Sequence, residues 1–285
     1  MRLSHQQVMG TVVSFSLREA TTDADPTGTA ASDGTSLAAV SGGGASSGAT
    51  GPGPQNVAAA LARARAKLDW VDDVFSTYKP DSPVSRLRRG EIAVDEAPPE
   101  VAEVLELCRR VRDASDGWFD PWNLPGGVDP TGLVKGWAAE RAMDELRRLG
   151  LPGALINAGG DVTAIGRPAP GEPWRIGIQN PLVRDRLLLN VELDGPGAVA
   201  TSGVYERGPH LIDPHTGTTV TDLLSATVTG IDLAFADALA TALYVSGGLL
   251  LDKLTRLAGY HGFVVYADGT IRTTRDLPVA LKFAA

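Results

Sequence analysis

Cysteine is almost missing from this 285-residue chain: Cys108 stands alone, so no intrachain disulfide framework can form. Its spacing with Val101, Val104, Leu105 and Val111 puts it on the apolar face of a predicted helix, as a small buried hydrophobe. Basic charge is also short. Lys and Arg number 26 against 34 Asp and Glu, a net charge of -8 and a pI near 5.0. That balance excludes the basic face a duplex-binding protein needs, and leaves any phosphate ligand to be met by a metal, backbone amides or a few placed cations. No stretch of about 20 uninterrupted apolar residues exists, so no membrane span is expected. Met1–Gly10 lacks the cationic start and apolar run of a signal peptide, which makes a cytoplasmic location the default expectation. A GxGxxG fingerprint and a Walker A loop are absent too, which disfavours a nicotinamide fold and a P-loop, and Ser202-Gly203 has no obvious triad, so a serine hydrolase is weakly supported. His210 and His215 have no Cys or third His nearby, and so do not make a zinc site.

What is present is the balance of an ordinary globular protein, 43% hydrophobic and 21% charged, long enough to bury a large core. Part of the excess of glycine (33) and proline (19) lies in a low-complexity tract over about residues 21–56. With almost no large side chain, that tract cannot offset its ordering entropy, and we read it as a disordered insertion in a single domain over 1–285. A strand is expected over Gly10–Leu17, and helices from Val57 to Phe75, Pro99 to Ala114, Lys135 to Leu149, Leu233 to Val245 and near Leu249–Leu257. Short strands are expected at Ala154–Ile156, Val162–Ile165, Trp174–Ile178, Leu187–Leu193, Val199–Thr201 and Ser225–Thr229. A closing hairpin should turn at Asp268-Gly269. Helices grouped early and strands grouped late imply an α+β protein rather than βαβ alternation.

The helix over Leu233–Val245 is the most informative element. It is apolar all round except at Asp237, Thr241 and Tyr244, so it must be buried, and Asp232 fits its N-cap. Asp237 and Thr241 share one face. A buried carboxylate needs a partner: either an Arg or strand amide, or a hard cation such as Mg²⁺ or Ca²⁺. Val128–Gly132 leads to a helix opening near Lys135, a helix start of ordinary kind or an anion site. Asn157–Asp161 is a paired-glycine turn, which suits either a ligand's close approach or a plain hairpin. Tyr78, Trp118 and Phe119 have the shape to stack on a flat ring, while core packing is the usual role of aromatics at helix ends and turns.

Eight ordered blocks join these pieces: MGTVVSF at Met9, FSTYKPDSPVSRL at Phe75, GWFDP at Gly117, VDPTGLVKGWAAE at Val128, INAGGDV at Ile156, TSGVYERG at Thr201, HLIDPHTG at His210 and ADALATALYVSG at Ala236. In this order the chain resembles the FAD:protein FMN transferases, the ApbE-type flavin transferases. The resemblance implies an ApbE-like α+β fold, one globular unit of mixed, largely antiparallel sheets flanked by helices, with kinship to T-fold proteins left open. It implies FAD as substrate, Mg²⁺ or another divalent cation, and transfer of FMN through its phosphate to a Thr or Ser hydroxyl of an acceptor protein, releasing AMP. The acceptor would carry a D-x-x-[ST]-[GA]-A-T-type segment. The chain's own Asp222–Thr227, DLLSAT, is one residue too short for that pattern and lies in a predicted strand. Carried over, the metal oxygens would be the Gly132 carbonyl and the Asp237 and Thr241 side chains. Flavin and nucleotide contacts would be Met9, Tyr78, Trp118, Phe119, Asp120, Asp129, Lys135 and Ile212, with His210 as acid/base. The same machinery would suit an FAD pyrophosphatase giving FMN and AMP, or an FAD-binding protein without catalysis.

Overall fold

The computed structural model describes residues 1–19, 52–183, 185–203, 211–220, 223–275 and 277. Most of the low-complexity tract, His210 and Asp222 therefore lie outside the described residues, and the tract's last three residues already belong to a helix. The chain opens with a hairpin, β1 (Arg2–Val8) and β2 (Thr11–Arg18), of which only the second strand is legible as an apolar run. β1 alternates polar residues with little apolar content, and it is held by its pairing with β2 from Arg2↔Leu17 to Val8↔Thr11. Helices α1 (Pro54–Phe75), α2 (Pro83–Arg88), α3 (Pro99–Ala114) and α4 (Thr131–Arg147) follow. Then come β3 (Gly153–Ala158), β4 (Asp161–Gly166), β5 (Trp174–Gln179), β6 (Leu187–Leu193), β7 (Gly197–Gly203) and β8 (Leu223–Gly230). Helices α5 (Leu233–Val245) and α6 (Leu251–Leu254) lead to the hairpin β9 (His261–Tyr266) and β10 (Ile271–Thr273).

Two boundaries correct the sequence reading. α4 begins at Thr131, so Lys135 sits in its second turn and not at its N-terminus, and the anion-site argument from free amides does not reach it. The six-residue α2 was too short to show periodicity; the Ser82 hydroxyl, accepting the Ser85 amide at 3.0 Å, starts it.

Eight strands form one sheet in the order β1-β2-β3-β4-β7-β8-β9-β10, and β5 and β6 pair separately. Every pairing among the described strands is antiparallel. Both faces of the sheet are covered. On one, α1, α3, α4 and α5 bury Phe15, Leu68, Leu133, Met143, Ile156 and Leu243. On the other, the β5–β6 ribbon lays Trp174, Ile178 and Val191 against Val199, Phe263 and Val265. Cys108 is fully buried in the helical layer, and burial pushes its thiol up to about 12. No described helix is long and apolar enough to cross a membrane.

Candidate functional site

Three helices, α1, α4 and α5, the end of β7 and the turns between them meet around a cavity of about 440 Å³ on the helical face. α4 crosses α5 at Gly136, where a Cβ would lie 2.4 Å from the Leu233 carbonyl oxygen and 2.9 Å from the Ala234 Cα. Only a glycine allows this approach, and it sets the first turns of α4 beside Asp237 and Thr241. The Gly136 amide donates to Asp237 Oδ2 at 3.2 Å. In an ideal helix that amide would serve the Gly132 carbonyl, so the carboxylate and that carbonyl converge on one donor.

The floor of the cavity is polar and buried. Lys135 Nζ lies 2.5 Å from Asp161 Oδ2 and 3.7 Å from Asp237 Oδ1. Asp161 Oδ1 accepts the Thr201 amide at 2.9 Å. Thr241 Oγ1 lies 3.2 Å from Ser202 Oγ. Asp161 is 1% and Asp237 5% exposed, so both carboxylates have left water. Burial pushes Asp237 up to about 7; the charge of Lys135 and the Gly136 amide pull it down, and the charge of Asp161 adds to the rise. One lysine thus serves two buried carboxylates, and it sits closer to Asp161. Asp237 is left with a shortfall of positive charge that a hard cation would supply. The oxygen-only donor set, carboxylate, hydroxyl and carbonyl, has the chemistry for Mg²⁺ or Ca²⁺ rather than zinc. Among the described residues no cluster of three or more His, Cys, Asp or Glu exists, so hydroxyl and carbonyl oxygens must complete any metal shell.

Two hairpin turns close one side. Met9 and Gly10 form the two-residue β1–β2 turn with φ of 52° and 69°, and Gly159 and Gly160 form the β3–β4 turn with φ of 63° and 99°. The turns pack together, since a Cβ on Gly159 would lie 2.3 Å from Thr11 Oγ1. Opposite them, the turn after α3 presents Trp118, Phe119 and Asp120, its Ser115 hydroxyl accepting the Phe119 amide at 3.1 Å. The Trp118 ring meets the edge of His215 at 4.5 Å between centroids. Tyr78, 96% exposed, stands at the rim beyond α1.

All eleven expected contact and metal residues in the described part of the chain line this one cavity: Met9, Tyr78, Trp118, Phe119, Asp120, Asp129, Gly132, Lys135, Ile212, Asp237 and Thr241. His210 lies outside the described residues, next to Leu211 and Ile212 of the lining. Sequence reasoning missed Asp161. It stood at the end of the paired-glycine turn, and the available signal was an acidic residue beginning an otherwise apolar strand.

Comparison with known proteins follows the same line. Residues 9–125 and 123–262 match the sequence model of the ApbE family. FAD:protein FMN transferase of Vibrio cholerae is 35% identical over 129 residues, 42% of this chain and 39% of that protein. The enzyme of the same name from Salmonella typhimurium is 31% identical over 152 residues, 50% of this chain and 43% of that one. The chain spans less than half the length of these curated relatives. Among solved structures, the apo form of Pseudomonas stutzeri flavinyl transferase ApbE superposes with a TM-score of 0.71 at 23% identity, covering 96% of this chain and 95% of that one. The flavin transferase ApbE from Vibrio cholerae gives 0.69 at 20% identity, covering 95% and 96%. The expected α+β, ApbE-like fold is borne out by this likeness.

Proposed function

The chain belongs to the ApbE family, and from that premise we propose that it transfers the FMN moiety of FAD through its phosphate to a Thr or Ser hydroxyl of an acceptor protein, releasing AMP. One observation carries the reading: residues from the β1–β2 turn, α1, the loop after α3, α4, α5 and the Leu211–Val220 turn, far apart in sequence, converge on a single cavity with an oxygen-lined floor. In this reading the Gly132 carbonyl, Asp237 and Thr241 would hold a divalent cation, Mg²⁺ or a substitute. Such a cation supplies charge neutralisation at the FAD pyrophosphate, the main requirement of phosphoryl transfer.

The remaining work falls to the chain's own groups. Lys135 places its amine at the floor, within reach of the two carboxylates that orient it. Asp161 holds that amine in place without needing to touch substrate. Trp118, Phe119 and Met9 offer apolar faces for the flat rings of the dinucleotide, and Tyr78 an exposed aromatic at the mouth. His210 is proposed to take the proton of the acceptor hydroxyl, a contribution of about 10²–10⁴-fold. The acceptor is proposed to present a D-x-x-[ST]-[GA]-A-T-type segment.

Mass spectrometry of the products decides between readings. Incubation with FAD, Mg²⁺ and a peptide bearing the acceptor segment should give AMP and a peptide heavier by the mass of FMN less one water. Free FMN with AMP and no adduct would identify a pyrophosphatase, and intact FAD after long incubation would leave a binding protein; either result overturns the proposal.

A further inference from the structure

We propose that Arg88 is a positioning residue for the dinucleotide: it pins the Pro121–Asp129 loop to the rim of the cavity and so sets the affinity for FAD. This rests on the function proposed above. Arg88 ends α2, just beyond the FSTYKPDSPVSRL block, and nothing in the sequence marks it.

The loop supplies one wall of the cavity through Pro121, Leu124, Pro125 and Asp129. Within the loop, the Asp129 amide donates to the Pro121 carbonyl at 2.9 Å, the Gly127 amide to the Leu124 carbonyl at 3.4 Å, the Trp122 amide to Asp120 Oδ1 at 3.0 Å and the Asn123 amide to the Asp120 carbonyl at 3.3 Å. At its first half the loop is also tied outward, by Asn123 Nδ2 donating to the Pro214 carbonyl and by Arg109 and Arg112 over the Trp122 ring. Arg88 ties down the second half, Pro125–Asp129. Its Nη1 is ion-paired with Asp129 Oδ2, and its Nη2 donates to the Pro125 carbonyl at 3.2 Å. The side chains are only 17% and 22% exposed, so this pair is not the freely solvated kind that contributes little. A guanidinium can meet both acceptors at once because its donors are set in a fixed fork; an ammonium on a similar stem cannot hold both.

The loop backbone is shaped to take this contact. Gly126 and Gly127 adopt φ of 85° and 96°, and a Cβ on Gly127 would lie 2.8 Å from the Arg88 carbonyl oxygen. The loop therefore lies directly on the last turn of α2. α2 is itself fixed to the end of α1, because the hydroxyls of Ser82 and Ser85 both donate to the Ser76 carbonyl, at 2.6 and 3.1 Å. Ser76, Thr77 and Tyr78 form another part of the rim. Arg88 thus ties one wall to its neighbour. From Asp129 the tie continues into α4, since Asp129 Oδ1 accepts the Thr131 amide at 3.0 Å and the Thr131 hydroxyl at 2.6 Å.

A loop that is already in place does not have to be ordered when the ligand enters, and affinity gains by the amount of that ordering. The floor is held separately, by the Gly136 crossing and the Asp161–Lys135–Asp237 contacts. Loss of Arg88 should therefore weaken capture of FAD far more than the chemical step. That split separates a positioning role from general damage to the fold.

The test compares wild type, R88A and R88K by steady-state kinetics and by hydrogen–deuterium exchange without ligand. R88A should raise KM for FAD about tenfold with kcat within threefold, and R88K should recover part of the loss. The amides of residues 121–129 should exchange faster in R88A while those of α1 and the central strands stay unchanged. Unchanged KM or unchanged exchange in the loop overturns the proposal. So does a fall of kcat in step with faster exchange throughout the chain. If wild type itself does not take FAD, the proposed function fails and the affinity claim with it, whereas the exchange data still decide whether Arg88 anchors the loop.

Discussion

Gly136→Ala is the substitution with the most to say about how the site is assembled. The added methyl carbon would lie 2.4 Å from the Leu233 carbonyl oxygen, 2.7 Å from its carbon and 2.9 Å from the Ala234 Cα. All three neighbours are backbone, so no rotamer change relieves the clash. Ordinary contact begins near 3.4 Å, and the start of α5 must therefore retreat from α4 by on the order of 1 Å. Overpacking of this kind costs about 1–3 kcal/mol. The retreat also strips Asp237 of the Gly136 amide, a hydrogen bond to a charged group worth about 1.5–3 kcal/mol. Alanine returns about 1 kcal/mol through its better helix propensity. The net loss is on the order of 1.5–5 kcal/mol, which for a chain of this size lowers Tm by about 3–20 °C. Thermal melts followed by circular dichroism measure it, with G53A as a control, since nothing lies within 4 Å of a Cβ there. The variant should also lose FAD turnover at a temperature where it is still folded, because a displacement near 1 Å separates Gly132 and Lys135 from Asp237 and Thr241. A G136A protein that melts within 2 °C of wild type would refute the reasoning, by showing that the helices give way without cost.

Further expectations concern single groups. In metal-free protein the folded state keeps a proton on Asp237 up to about 7, above its ordinary 3.8, so stability should fall as pH rises through that window and level off above it. Melts in EDTA at pH 5 and pH 8 should show this slope in wild type and a flatter one in D237N; equal slopes would exclude Asp237 as its source. D161N should release Lys135 towards Asp237, where it competes with a cation, and raise the Mg²⁺ needed for half-maximal FAD turnover about 10- to 100-fold. An unchanged Mg²⁺ titration would show that Asp161 has no hold on the lysine. Cys108, buried and with its thiol pushed up to about 12, should resist a disulfide exchange reagent at pH 8 until denaturant is added; rapid reaction of the native protein would contradict its burial.

Periodicity made much of this molecule legible. α5 was delimited residue for residue, because thirteen nearly unbroken apolar positions between Asp232 and Ser246 admit only a buried helix. The strands from β3 to β9 were found within a residue or two, because each presents apolar side chains to at least one covered face. β1 was invisible for the opposite reason: its side chains are mostly exposed, and its position depends on β2, not on its own composition. Asp237 was marked as a site residue by contrast with its helix. Asp161 and Arg88 were not, since one closes a turn that looks ordinary in sequence and the other is an arginine among arginines. Their importance lies in what they reach across space, a lysine on α4 and a loop forty residues on, and single-chain patterns carry no record of such pairs.

The strand order has a consequence for how this chain comes to be complete. β2 finds its partner β3 only after all of α1 to α4 has been made, as the pairing of Leu17 with Ala154 shows. The later strands, by contrast, mostly pair with near neighbours in the chain. Non-local pairing of that kind is entropically late. Met9 and Gly159, from the two turns that pack together on either side of that seam, reach the cavity only once it has closed. The β2–β3 seam, and the pocket with it, is therefore expected to form after much of the helical structure. Ligand capture then doubles as a report that the seam has formed, and in refolding experiments it should lag behind the recovery of helical signal.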